Sequence, residues 1–114
     1  MIISTSSQDV QLTENICEYV ESVLRDELRH VADRVVSIDA RLENDANAVM
    51  RVDLDDRRAL VVETQGKNLR TAIRRGAADS ARAVDQHLRL SREGSSHRQA
   101  AKYLAFGRYS AANI

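Results

Sequence analysis

Three arginines in the second half of the sequence, Arg75, Arg82 and Arg89, recur at intervals of seven residues. If this segment is helical, seven residues make almost two turns, so the three guanidinium groups fall within about 40° of one another around the helix. A guanidinium group binds phosphate oxygens through several hydrogen bonds, and a row of them on a rigid helix can reach successive phosphates. The spacing therefore predicts a surface that binds a polyanion.

Other basic residues extend this predicted surface. The set predicted from the second helix adds residues in or just before that helix: Lys67, Arg70, Arg74 and Arg92. A solvated face that is kept polar for solubility is the alternative interpretation, and the charges alone leave it open.

The last part of the chain mixes basic and aromatic residues, a combination that suits single-stranded RNA because bases stack on aromatic rings. The predicted contacts there are Arg98, Lys102, Tyr103 and Arg108. A loose chain end, or a segment that packs its aromatic rings on the rest of the domain, is the alternative.

Charge is sorted along the chain although the formal net charge is zero. Residues 1–64 contain 7 Arg and 14 Asp or Glu, a net charge of −7, whereas residues 65–114 contain 10 Lys or Arg and 3 Asp or Glu, a net charge of +7. A basic half within a neutral chain is typical of a protein that docks on nucleic acid through one surface.

Signals of other function classes are missing from the sequence. His30, His87 and His97 fall on separate elements without zinc-site spacing, and no glycine-rich phosphate loop or nucleophile elbow is present. The lone Cys17 cannot form an internal disulfide, which favours a cytoplasmic location, and no signal peptide or membrane-spanning segment is visible. We therefore predict no enzymatic activity, no metal, no cofactor, no small-molecule substrate and no membrane partner.

Hydrophobic periodicity predicts the elements that hold these residues. Residues 1–5 form a short strand, and Thr13 is the N-cap of a helix whose apolar residues recur at steps of three and four until near Asp33. Three segments with alternating apolar and polar residues follow, at 36–42, 49–54 and 60–64. The short polar turns between them indicate an antiparallel meander.

A second helix follows the meander. Asn68 is its N-cap, and the helix runs for about six turns from Leu69. Small residues on its inner face, such as Gly76, predict a close approach to the sheet. The order β-α-β-β-β-α predicts an α+β fold, a two-layer sandwich with both helices packed on one face of a four-stranded sheet. We expect one domain at residues 1–90 and a basic, partly aromatic C-terminal tail at residues 91–114.

Two segments resemble one known family. The first is VQLTENICEYVESVL at residues 10–24, with a hydrophobic–x–hydrophobic–Thr pattern before a Tyr-Val step. The second is LVVETQGKNLRTAIRRGAADSARAVDQHL at residues 60–88, which resembles the family's last strand, a polar turn and a helix that opens on an x-Ala-Ile step. With the element order over residues 1–90, they make the chain similar to the short members of the ribosome hibernation promoting factor family, also called ribosome-associated inhibitors or sigma-54 modulation proteins.

This resemblance implies a small, non-catalytic cytoplasmic protein that binds the small ribosomal subunit near the tRNA and mRNA path. Such a protein contacts 16S-type rRNA through basic residues, blocks translation and promotes ribosome hibernation under stress. By position, the residues that match the family's basic surface on the second helix are Arg70, Arg74, Arg75, Arg82 and Arg89. The resemblance implies that Arg25 and Arg29 on the first helix could contribute to the same rRNA-binding surface. The family's long members have an additional C-terminal dimerisation domain, which this sequence lacks.

Two further functions stay open at this point. The acidic and basic halves could pair head to tail in a homodimer, or the acidic helix could bind a protein partner. A generic binder of double-stranded RNA is the other alternative, because that domain is likewise built of a helix, a meander and a helix.

Overall fold

The computed structural model describes residues 1–44, 46–92 and 109–111 of the chain. Its elements in chain order are β1 Ile2–Ser7, α1 Glu14–Glu27, a 3₁₀ helix Arg29–Arg34, β2 Val35–Glu43, β3 Asn47–Leu54, β4 Ala59–Gln65, α2 Leu69–Arg92 and β5 Tyr109–Ala111. The predicted order β-α-β-β-β-α is confirmed, and so is the two-layer α+β fold.

The sheet is mixed, with the spatial order β1-β2-β3-β4-β5. β1 pairs with β2 in parallel, because α1 and the 3₁₀ helix carry the chain back between them, and β2, β3 and β4 form the predicted antiparallel meander. The four predicted strands are confirmed, and the structure adds a short fifth one to them. β5 comes from the predicted tail and pairs antiparallel with β4, with Leu60 opposite Ala111 and Val62 opposite Tyr109.

The core is aliphatic, as the scarcity of aromatic residues requires. Alternate residues of β2 and β3, for example Ile38, Met50 and Val52, are buried, whereas those between them line the opposite, polar face of the sheet. Val20 and Leu24 of α1 are completely buried against this core. The period-2 burial pattern shows that only one face of the sheet carries the helices.

The first helix is shorter than predicted. Regular α-helix ends at Glu27 after about four turns, with Leu28 as the C-cap, and a tight 3₁₀ helix, Arg29–Arg34, replaces the rest of the predicted helix of about five turns. Val31 has the non-helical angles φ −125° and ψ 17° and is still buried. Apolar residues at intervals of three or four positions fit both helix types, so the sequence pattern does not distinguish them. The 3₁₀ segment leads the chain into β2.

Both predicted N-caps are confirmed. The Thr13 hydroxyl accepts a hydrogen bond from the Ile16 amide at 3.2 Å, and the Asn68 Oδ1 accepts one from the Thr71 amide at 2.9 Å. α2 runs two residues beyond the predicted domain boundary at residue 90. The four residues predicted as tail contacts, Arg98, Lys102, Tyr103 and Arg108, lie outside the described residues.

α2 packs closely on the sheet because its inner face is made of small side chains. Ala72, Ala77, Ser80 and Ala83 are all buried. A Cβ atom added at Gly76 would lie 2.9 Å from the sulfur of Met50, so the close approach predicted from the small residues is confirmed. The opposite face of α2 is thereby directed to solvent.

Candidate nucleic-acid interface

The solvent face of α2 holds the arginines that the sequence spacing predicted. All five that lie within its described side chains are exposed: Arg70, Arg74, Arg75, Arg82 and Arg89. Arg75, Arg82 and Arg89 form one row about 21 Å long, given the 1.5 Å rise per helical residue. Lys67, just before the helix, is exposed as well. Arg92 is the last residue of α2, and its side chain lies outside the described part of the chain.

Most of this positive charge is not neutralised by neighbouring carboxylates. Lys67, Arg74 and Arg89 have no hydrogen-bond or ion-pair partner among the residues that the structure describes. Arg75 donates through Nη1 to the backbone carbonyl of Gln65 at 2.9 Å, which fixes the side chain beside the end of β4 without removing its charge. A face of this kind attracts phosphate groups.

Both carboxylates of α2 have partners. Asp79, with a side chain only 3% exposed, pairs with Arg82, so Arg82 is the one member of the row with an acidic partner among the described contacts. Asp85, one turn before Arg89, accepts from His30 Nε2 of the 3₁₀ helix at 2.9 Å. The net charge of the row therefore stays positive.

The basic residues predicted on the first helix have different surroundings. Arg25 pairs with Glu21 at 3.3 Å, and Arg29, which belongs to the 3₁₀ helix, pairs with Asp26 at 3.6 Å. Arg25 lies about 120° around α1 from Tyr19, the residue that faces α2. The structure thus assembles the α2 cations on one surface and leaves Arg25 and Arg29 among the carboxylates of the acidic half.

One residue of this surface, Tyr19, was not predicted from the sequence. The Arg70 guanidinium lies 4.6 Å from the centre of the Tyr19 ring, in a cation–π contact between the two helices. Beside it is a groove with a volume of about 380 Å³, lined by Ile16, Tyr19, Asn68, Leu69, Arg70 and Ile73. Periodicity assigns Ile16 and Ile73 to the core, and nothing local in the sequence connects Tyr19 with Arg70.

A hydrogen bond between a buried histidine and a carboxylate holds the distal part of α2 to the sheet. His87, predicted to be a satisfied core histidine, is 4% exposed, and its Nε2 lies 2.7 Å from Asp56 Oδ2 in the β3–β4 turn. Its Nδ1 has no hydrogen-bond partner among the described residues, so only one ring nitrogen is satisfied. Burial alone would raise the pKa of Asp56, but the hydrogen bonds from His87 and the Arg58 amide, with the charges of both residues, outweigh burial and lower it.

The described residues contain no group of three or more His, Cys, Asp or Glu side chains that could hold a metal ion. Within the same part of the chain, no helix is long and apolar enough to cross a membrane.

Two solved structures share this fold over most of their length. The N-terminal domain of Protein Y from Thermus thermophilus is 26% identical, with a TM-score of 0.66, and the match covers 75% of this chain and 98% of that one. A ribosomal subunit interface protein from Coxiella burnetii has a TM-score of 0.64 and covers 76% of this chain and 97% of its own, but at 11% identity it shows the fold alone. The resemblance to the ribosome hibernation promoting factor family is confirmed. No protein-family model and no curated protein matches the sequence.

The two faces of α2 thus differ in composition. Small inner residues let the helix lie close to β3 and β4, and the outer face carries arginines, denser in its first two turns and then at intervals of seven residues.

Proposed function

We propose that this protein is a non-catalytic, cytoplasmic translation inhibitor that binds the small ribosomal subunit through α2. The observation that supports this proposal best is the exposed, largely unneutralised arginine row on a fold shared with a ribosomal subunit interface protein. Phosphate groups of 16S-type rRNA are the proposed ligands of Arg70, Arg74, Arg75, Arg82, Arg89, Arg92 and Lys67.

Inhibition would follow from occupancy. A guanidinium group binds phosphate through directed hydrogen bonds and needs no substrate or cofactor. With α2 held on rRNA near the decoding path, the body of the domain would exclude mRNA or tRNA from the same space.

The test is sedimentation of the purified protein with ribosomes through sucrose gradients at low and near-physiological salt. We expect co-migration with the small subunit or the whole ribosome in both buffers. Each phosphate contact should contribute about 0.7–0.9 to the magnitude of the slope of log affinity against log salt. Protein that stays at the top of the gradient in both buffers would contradict the proposal.

Two double variants with the same change of charge test the site. Arg74→Glu/Arg89→Glu reverses two cations that have no partner among the described side chains and leaves the Arg82–Asp79 pair intact. We expect it to lower the ribosome affinity by at least about 100-fold at near-physiological salt. The slope of log affinity against log salt should fall in magnitude by the contribution of about two phosphate contacts.

The comparator is Arg25→Glu/Arg29→Glu on the acidic side of the domain. It alters the net charge equally, so a general electrostatic effect would weaken both variants alike. We expect it to lower affinity by less than about fivefold, because these residues are already paired with Glu21 and Asp26. Equal losses in the two variants, both folded by circular dichroism, would remove α2 as the docking element.

A further inference from the structure

The groove between α1 and the start of α2 has the dimensions and lining of a small ligand site. Its volume of about 380 Å³ falls within the range of about 300–1,000 Å³ that is usual for ligand pockets. Ile16, Leu69 and Ile73 supply apolar lining, and Asn68 and Arg70 supply polar groups. This combination suits a flat ligand with an apolar face and a polar edge.

The wall of the groove is built of the two side-chain types on which bases stack. The Arg70 guanidinium lies over the face of the Tyr19 ring, 4.6 Å from its centre, so each group covers one face of the other and leaves its outer face for a third ring. Unpaired bases in RNA complexes stack on aromatic rings and on the planes of arginine side chains. A planar base can therefore extend this stack, which an aliphatic ligand cannot do.

Asn68 adds a hydrogen-bond donor to the lining of the groove. Asn68 Oδ1 is occupied as the N-cap, accepting from the Thr71 amide at 2.9 Å and from the Thr71 hydroxyl at 3.0 Å. These bonds fix the orientation of the side-chain amide. Its Nδ2 group has no partner among the described residues and can donate to the edge of a base.

Charge around the groove favours a nucleotide over a neutral ring. Arg74 lies one turn after Arg70 on the same flank of α2, and Lys67 precedes the helix, so cations adjoin the groove where a phosphate would lie. Three carboxylates of α1, Glu14, Glu18 and Glu21, lie about 140–160° around that helix from Ile16 and face away, and the other two, Asp26 and Glu27, lie about 10–12 Å beyond Tyr19 along the helix axis. The part of α1 that lines the groove is therefore uncharged.

We propose that this groove receives one unpaired base of RNA, stacked on the Tyr19–Arg70 pair, with the adjoining phosphate bound by Arg74. This inference rests on the proposed function, since it names a contact within the same RNA-binding surface. It adds base stacking to a surface whose other contacts are electrostatic.

The test compares two hexanucleotides that have identical ribose-phosphate backbones. One is hexa-adenylate, and in the other every base is absent, so the ratio of their dissociation constants reports the contribution of the bases at constant charge. Fluorescence anisotropy with a 5′ dye at low salt measures both. We expect the full-length protein to bind hexa-adenylate at least about fivefold more tightly, the lower end of one stacked base.

Three variants test whether Tyr19 and Arg70 cause the tighter binding of hexa-adenylate. Tyr19→Leu and Arg70→Gln should each bring the ratio close to one, and Arg70→Gln is an exposed substitution that leaves the fold intact. Arg89→Gln is the matched control, because it removes an equal charge from α2 about 28 Å from Arg70 along the helix. It should weaken both hexanucleotides by a similar factor and leave the ratio unchanged.

The outcomes separate this inference from the proposed function. A ratio near one in the wild-type protein, or a ratio that persists in both Tyr19→Leu and Arg70→Gln, overturns the base site. If the protein still co-sediments with ribosomes in that case, the proposed function stands without it. If the protein binds neither hexanucleotide and also fails to bind ribosomes, both the base site and the proposed function are overturned.

Discussion

At the scale of single residues, Asp56 and His87 join parts of the chain that are 31 positions apart. The imidazole is almost fully buried, so its single hydrogen bond to the carboxylate is the interaction that compensates for its removal from water. Asp56 also accepts from the Arg58 amide at 3.0 Å and so closes the β3–β4 turn. The predicted hairpin turn is confirmed, but its link to α2 depends on the folded chain.

We expect Asp56→Ala to lower the free energy of unfolding by about 1–3 kcal/mol at pH 7, because it leaves a buried histidine without a partner. Since folding lowers the pKa of Asp56, its ionised form stabilises the protein above the ordinary pKa of 3.8. That contribution is lost as the pH falls through the lowered value. Urea unfolding at pH 7, 5 and 3.5 should therefore show a difference from wild type that persists at pH 5 and shrinks at pH 3.5.

Asp55→Ala is the control for this experiment, since Asp55 lies in the same turn and pairs with Arg34 at 2.8 Å on the surface. An exposed ion pair contributes about 0–1 kcal/mol, so this variant should be close to wild type. Equal destabilisation by the two substitutions would show that the turn, rather than the buried pair, is responsible.

At the scale of elements, α2 depends on a tight connection from β4. Gly66 lies between them, and its amide donates to the Ala46 carbonyl at 3.0 Å. A Cβ atom at this position would lie 2.7 Å from the backbone nitrogen of Ala72, in the first turn of α2. Backbone atoms cannot rotate away as the end of a flexible side chain can, so the connection requires glycine.

We expect Gly66→Ala to destabilise the protein by about 1–3 kcal/mol, the usual cost of forced overpacking. Thermal and urea unfolding measure this loss. Lys67→Ala, at the adjacent exposed position, should change stability by less than about 0.5 kcal/mol. A Gly66→Ala protein as stable as wild type would mean that α2 begins farther from β4 than the structure shows.

At the scale of the whole molecule, the described part of the tail covers an edge of the sheet. β5 contributes three residues to the β4 edge, whereas β2 and β3 pair along most of their length. An open strand edge offers unpaired amide and carbonyl groups to other chains. The short strand is therefore expected to contribute more to preventing association through the β4 edge than to stability.

Deletion of residues 93–114 should leave the domain folded, lower the melting temperature by only a few degrees, and increase self-association at high concentration. Circular dichroism and sedimentation velocity measure these effects. Ser110→Pro is the matched variant, because it disrupts pairing of β5 opposite Val61 while keeping the basic tail. A deletion variant that stays monomeric, or a Ser110→Pro protein unlike it, would contradict the role assigned to β5.

Local information in the sequence was sufficient for the element order, the two N-caps at Thr13 and Asn68, the one-sided burial of the sheet and the arginine row of α2. Each of these follows from residues within a few positions of one another, through the periods of helix and strand and the chemistry of caps. The opposite net charges of the two halves are likewise a property of the amino-acid sequence alone.

Features that join distant residues required the folded chain. No sequence pattern predicts three of these features, because each joins segments that are far apart in the chain. They are the Tyr19–Arg70 contact, the groove beside it and the Asp56–His87 pair. The addition of β5 to β4 and the change from α-helix to 3₁₀ helix after Glu27 also depend on how the layers pack. Periodicity specifies which side of an element is buried, but only the packing of the helices on the sheet specifies which side chains meet there.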